Sequence, residues 1–233
     1  MKGFDLVAIF TNPEFVKMLL HGLKLTFLIF AGSWALAMSL GVLLLSARML
    51  PFRLADRLVA IYISYHRNVP TLVQLMLWYF GISSLLPDKL QEFLLDYNGE
   101  ALFAILALGL CQAAYFSEDL RSGLRAVPKG QWEAARALGH SYAGSMAYIL
   151  MPQAVRNAMP ALVNHTVSLF KNSSLAMAIG VSELTHAVKE IENQSFRVFE
   201  IYLVATVIYL ACSLLLMWLG DSFERRQRLA ENV

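Results

Sequence analysis

The chain has 233 residues, 58% of them hydrophobic and 15% charged, with a formal net charge of +2. A soluble domain carries about a quarter charged residues, so this deficit, with a mean hydropathy of +0.54, describes a chain that meets lipid rather than water. The length fits one compact domain, and so small a charge, with no long basic run, argues against a nucleic-acid partner.

The start, Met1-Lys2-Gly3-Phe4-Asp5, lacks the basic head, apolar centre and small-residue cleavage site of a signal peptide, so uncleaved insertion is expected. Residues 1–18 are expected to form an N-terminal segment on the outer face, with Gly3 to Lys17 along the interface. A spanning helix needs roughly 20 apolar residues, and five runs approach that length. Leu23 to Leu45 is the first, broken only by Lys24 near its edge. Leu58 to Leu86 is the second, interrupted by His66, Arg67, Asn68 and Pro70. Ala101 to Phe116 is uncharged and reaches a full span with its flanks. Pro160 to Val181 is the fourth and carries His165 and Lys171, and Ile201 to Leu219 is the fifth and contains no charge. Cys111 and Cys212 both lie in these runs and read as small buried hydrophobes, not a disulfide or a metal pair. Together the runs describe an all-α integral membrane domain over residues 19–222, followed by a basic tail, 223–233.

Orientation follows from the Lys/Arg asymmetry of the connections. One side holds eleven: Arg48, Arg53, Arg57, Arg121, Arg125, Lys129, Arg136, Arg156, Arg225, Arg226 and Arg228. The other holds five: Lys2, Lys17, Lys89, Lys189 and Arg197. The N-terminus is therefore expected outside and the C-terminus in the cytoplasm. The outer loops are conversely acidic, with Asp88, Glu92, Asp96 and Glu100 in one and Glu183, Glu190, Glu192 and Glu200 in the other.

The connection between the third and fourth runs, residues 127–152, carries the most information. Pro128 is placed to start a helix, Ala134, Ala135 and Ala137 favour one with a slim profile, and Gly139 can stop it in a left-handed conformation. Pro152 would open the next helix. On periodicity alone this is an ordinary interfacial helix.

The spacing adds more. Glu133-Ala134-Ala135, with Gly139 four residues on, Ile149 ten beyond and Pro152 three after that, resembles the EAA loop of ABC-importer permeases. Met151 stands where that family usually has leucine, a volume-conserving departure. His66-Arg67-Asn68-Val69-Pro70-Thr71-Leu72-Val73-Gln74 is similar to the Arg-Gly/Asn-x-Pro-Leu-x-Val-Gln stretch of polar amino acid permeases. Ala113-Ala114-Tyr115-Phe116-Ser117-Glu118 is similar to the segment before their coupling loop, and Lys171-Asn172-Ser173-Ser174-Leu175 to their Lys-Asp/Asn-Ser/Thr-Ser-Leu pattern. Within that family the chain looks closest to glutamate/aspartate permease subunits.

The resemblance implies a five-span type I ABC importer transmembrane domain in a bacterial inner membrane. It implies a coupling helix whose Glu133, Ala134, Ala135, Leu138 and Gly139 sit in a cleft of a cytoplasmic ATPase. The implied partners are an ABC ATPase subunit dimer, which would bind the ATP and magnesium, a second permease subunit (a similar chain or a copy of this one) and a periplasmic amino-acid-binding protein. No cofactor is expected in this chain. The implied substrate is glutamate or aspartate, with glutamine or a basic amino acid as alternatives.

Ionisable groups within spans are costly and draw attention. Lys171 lies inside the fourth run, followed by Asn172 and Ser173, and could receive an amino acid's carboxylate; a structural lysine that snorkels is the alternative. Pro70 favours a break that would expose Asn68 and Thr71 to a cavity, while Arg67 either faces a gate or anchors the span at the interface. Gln74 and His165 are expected to hydrogen-bond across helix interfaces, His165 with a cavity-facing position as its alternative. Glu118 and Arg121 suit a helical ion pair, and Trp78, Tyr79, Phe80 and Trp218 an interfacial belt.

No phosphate-binding loop, metal-ligand spacing or nucleophile elbow occurs, so ATP hydrolysis is expected elsewhere. An ion-coupled secondary transporter would call for a deep carboxylate relay, and no carboxylate lies deep within the spans from Leu23 to Phe116 or within Pro160 to Val181. A membrane enzyme would need clustered catalytic groups, and an efflux ABC domain six spans.

Overall fold

The computed structural model describes residues 4–96 and 99–229. Lys2, the side chains of Asp96, Arg225, Arg226 and Arg228, and residues 230–233 of the expected basic tail lie outside the described residues. After one turn, α1 (Val7–Phe10), the chain enters α2 (Pro13–Arg48). The Asn12 side chain caps α2 by accepting from the Glu14 amide at 3.0 Å, and Pro13 takes the first turn, where its missing N–H is not needed. With 36 residues α2 is about 54 Å long against a bilayer core of about 30 Å.

Next come α3 (Arg53–Asn68) and α4 (Thr71–Met76), which continues through a π-turn, Leu77–Ile82, and a 3₁₀ turn, Ser83–Leu85. They are followed by α5 (Asp88–Asp96), α6 (Gly99–Arg125), α7 (Lys129–Ala137) and α8 (Tyr142–Ser145). A π-turn, Met146–Leu150, leads into α9 (Met151–Asn172) with its 3₁₀ extension Ser173–Ile179, then α10 (Leu184–Ser195) and α11 (Val198–Leu229).

Among the described residues, α2, α6 and α11 are long and apolar enough to cross a membrane. The other two expected crossings are segmented. The run Leu58 to Leu86 is two helices, and only its Thr71–Leu85 half is apolar. Pro70 is the cause: it cannot donate, and it drives Val69 to extended backbone (φ −95°, ψ 131°). The break strands carbonyls, and Gln74 answers them, donating from Nε2 to the His66 and Val69 carbonyls at 3.0 and 2.7 Å. Its Oε1 lies 2.6 Å from His66 Nδ1. Gln74 of α4 therefore hydrogen-bonds to α3 across the break and closes the gap within one segmented crossing. Gln74→Leu takes the amide donor from both carbonyls, leaving the His66 carbonyl only the weak Cys111 thiol at 3.7 Å. We expect a loss of about 3 kcal/mol, or roughly 6–12 °C in melting midpoint for a domain of this size, measured by thermal unfolding of the purified complex.

The fourth crossing begins earlier than expected, at Met151, with Pro152 in its first turn and Pro160 inside the helix. Where α9 gives way to 3₁₀ backbone, Ser173 and Ser174 hydroxyls donate to the Phe170 and Lys171 carbonyls at 2.6 and 2.7 Å. Gly180, at φ +92°, then turns the chain in a left-handed conformation that side chains resist.

α6 is the central helix. Two thirds of its most apolar window is buried, against 28% for α2 and 11% for α11. α2 lies along it through Ile29, Ser33, Ala37 and Gly41, and α9 crosses it at Gly123, where any Cβ would strike the Ala154 carbonyl and Ala158. Glu183, expected in an acidic outer loop, is fully buried. Its carboxylate accepts from the Thr185 and His186 amides at 2.9 and 3.0 Å, capping α10, and from the Tyr209 hydroxyl of α11 at 3.0 Å. Thr26 of α2 accepts from the Leu184 amide at 3.1 Å, so this corner ties three helices together. On α10 the Lys189 ammonium donates to Glu192 at 2.8 Å and holds that carboxyl below its ordinary range.

Candidate functional site

α4, α6 and α9 converge on a cavity of about 150 Å³ whose polar wall is Thr71, Gln112, Tyr115, His165, Ser168 and Asn172. The helical period assembles it. On α6, Leu108, Cys111, Gln112 and Tyr115 follow at three- and four-residue steps, and on α9 His165, Ser168, Leu169 and Asn172 do the same, so each set occupies one face. The break at Pro70 adds Thr71, the first residue of α4.

Chemically the wall is uncharged hydroxyl and amide around one imidazole. His165 Nδ1 lies 2.6 Å from Asp119 Oδ2, with the Tyr115 ring 5.0 Å from the imidazole. The Gln112 amide is the unusual member. The residue is buried, yet its Nε2 has no hydrogen-bond partner. A buried donor left unpaired costs about 1–3 kcal/mol, so this amide is available to an acceptor that enters the cavity.

Of the candidates from sequence, Thr71 and Asn172 line this cavity. Ser173 is buried behind it, its hydroxyl committed to Phe170. Lys171 is exposed on the bundle surface and is not among the cavity-lining residues. Asn68 sits in a second cleft, of about 450 Å³, with Arg48, Arg67, Glu118 and Arg121, and donates to the Ser64 carbonyl at 2.7 Å. The Glu118–Arg121 pair forms, and Arg48 joins it at 2.7 Å. Both Glu118 and Asp119 are drawn inward because α6 runs on to Arg125, past the expected span end at Phe116. Gln112, Tyr115 and Ser168 were not expected in the site. Their signal is the matched three- and four-residue spacing on two helices.

At the other candidate site, α7 buries Ala135 and exposes Glu133, Ala134, Leu138 and Gly139. Gly139 has φ +81° with open space around its Cα, and the His140 amide donates to the Ala135 carbonyl at 3.1 Å, which ends the helix. Leu138 is 79% exposed, and Tyr142, against the Trp132 ring of α7, and Tyr148 are exposed too. Large apolar side chains grouped on a polar surface mark a place where another protein sits.

Known proteins agree with this architecture. The family of binding-protein-dependent transport system inner membrane components matches residues 37–229. The arginine transport system permease ArtQ of Bacillus subtilis is 33% identical over 216 residues, covering 93% of this chain and 94% of that protein. The glutamate/aspartate import permease GltJ of Escherichia coli K12 is 30% identical over 230 residues, 97% of this chain and 94% of that one. An amino acid ABC transporter crystallised with histidines superimposes with a TM-score of 0.84 at 28% identity, covering 97% of this chain and 100% of that one. An inward-facing methionine ABC transporter, 19% identical over 92% of this chain and 98% of its own, shares the fold at a TM-score of 0.66. The chain therefore belongs to the inner-membrane components of binding-protein-dependent transport systems, as one of the amino acid ABC permeases with the type I importer fold.

Proposed function

We propose that this permease conducts a polar amino acid handed over by a periplasmic binding protein, through the cavity between α4, α6 and α9. The unpartnered Gln112 amide in the cavity wall carries this reading. Thr71, Gln112, Ser168 and Asn172 supply donors and acceptors, and His165, held by Asp119, fixes one side. ATP and magnesium are bound by a separate ATPase dimer. Its motion reaches the bundle through α7, with Glu133, Ala134, Ala135, Leu138 and Gly139 as the coupling surface. The Lys/Arg asymmetry supports an outward N-terminus and a cytoplasmic α7 and C-terminus. In this arrangement 1–18 is the outer segment, 19–222 the permease domain with coupling loop 127–152, and 223–233 the cytoplasmic tail.

A second permease subunit, similar or identical, completes the pathway. Exposed Lys171 belongs on that shared side, where it meets the substrate's carboxylate, and Asn68 lies outside it, in the second cleft. The motif resemblance and the likeness to GltJ favour glutamate or aspartate. An uncharged substrate such as glutamine is the second reading, favoured because no lysine or arginine lines the cavity of this chain. Uptake of labelled glutamate, aspartate, glutamine, arginine and histidine, in cells carrying the complete transporter with and without this subunit, tests both. Subunit-dependent, ATP-requiring uptake confined to the two acids supports the first, and uptake led by glutamine the second. Uptake that follows an ion gradient without an ATPase sinks the proposal.

A further inference from the structure

We propose that the cleft between α2, α3 and α6 binds the phosphate of an anionic phospholipid headgroup. This does not rest on the transport reading. The cleft holds about 450 Å³ and is lined by three guanidinium groups, Arg48, Arg67 and Arg121, against a single carboxylate, Glu118. That carboxylate is already shared. Oε1 accepts from Arg48 at 2.7 Å and from Arg121 Nε at 3.0 Å, while Arg48 also reaches Asp56 at 2.9 Å. Arg67 is left over. It lies 5.5 Å over the Tyr115 ring, a contact that satisfies none of its N–H donors, and it enters no ion pair among the described residues.

A concave surface with excess fixed positive charge concentrates anions, and the planar guanidinium fork matches phosphate oxygens in pairs. The surroundings select the kind of phosphate. Leu54, Leu58 and Ile61 follow at four- and three-residue steps on α3 and are all exposed, forming an apolar strip about a third of the way round the helix from the cleft-lining Ala60, Ser64 and Arg67. Arg53 and Arg57 of the same helix are exposed too. An amphipathic helix with an apolar strip flanked by arginines is the surface that anionic lipid binds. A free phosphate would satisfy Arg67 and leave that strip bare. A phospholipid covers both, its headgroup in the cleft and its acyl chains along Leu54, Leu58 and Ile61.

The test is native mass spectrometry of the assembled transporter after incubation with phosphatidylglycerol or with phosphatidylcholine of the same acyl chains. The wild-type complex should retain phosphatidylglycerol about 5-fold better, the scale expected for one added guanidinium contact. Arg67→Gln should remove that preference with the melting midpoint unchanged. Ala60→Glu, which adds a carboxylate to the cleft lining without deleting any ion pair, should do the same and serves if Arg67→Gln fails to assemble. Equal retention of the two lipids by wild type, or an intact preference in both variants, overturns the proposal. Displacement of phosphatidylglycerol by millimolar inorganic phosphate would overturn lipid as the source of the phosphate.

Discussion

The Leu138→Asp permease is expected to fold and insert as wild type does, and to lose at least about tenfold in the ATP hydrolysis that it stimulates in its ATPase partner. The asymmetry follows from where Leu138 points. It is 79% exposed, so the chain itself loses no core contact when the leucine goes. Docked in an ATPase cleft, the same side chain would bury apolar surface worth about 1.5–3 kcal/mol, and a carboxylate there would add a desolvation cost of several kcal/mol. Each 1.4 kcal/mol is about a factor of ten in affinity. Gly139→Asp makes a useful companion. Its φ of +81° makes an aspartate strained by about 1 kcal/mol, yet nothing in this chain stands within 4 Å of the position a Cβ would take. A large loss of ATPase association in that variant therefore comes from the partner and not from misfolding. Co-purification of the ATPase and its hydrolysis rate in detergent read both. If the two variants retain wild-type association and rate, α7 is an ordinary interfacial helix and the coupling role is wrong.

The sequence announces the two ends of this machinery unequally. α7 was legible because its signals are local: Pro128 before it, alanines within it and Gly139 after it occupy the places that a short helix requires. The break at Pro70 was legible for the same reason. Its repair was not. Gln74 looks like any amide in an apolar run, and only the fold shows that it faces the carbonyls of His66 and Val69. Lys171 shows that the cost of a charge within a span does not say where the charge goes. That cost says the ammonium needs an escape from lipid, and the fold places it exposed on the bundle surface, outside the cavity lining. Glu183 is the converse case. Its neighbours Thr26 and Tyr209 come from helices 157 and 26 residues away in the chain, so nothing local marks it as a buried knot that ties three helices. The cavity wall belongs to the same class, since Gln112 and His165 acquire meaning only when α6 and α9 cross.

Gln112→Leu is expected to cut uptake by about tenfold or more while raising the melting midpoint of the empty transporter, and this opposition separates a substrate contact from a structural residue. Among the described residues no group pairs with the buried Gln112 Nε2. Replacing it by a side chain of similar volume removes a buried donor that no protein group satisfies and that costs about 1–3 kcal/mol, so the fold without substrate gains stability. When an amino acid occupies the cavity, the same donor finds its acceptor. Its loss then removes an interaction of about 1.5–3 kcal/mol if the acceptor is a carboxylate, or roughly 10- to 150-fold in affinity. Gln112→Asn keeps the chemistry but withdraws the amide by one methylene and should lie between the two. A scaffold role would show itself differently: Gln112→Leu would then lower the midpoint, and uptake would fall only in proportion to the folded transporter present. Thermal unfolding without substrate, set beside uptake normalised to the protein in the membrane, distinguishes these cases. A lowered midpoint with unchanged normalised uptake would take Gln112 out of the site and leave Thr71, His165 and Asn172 to define it.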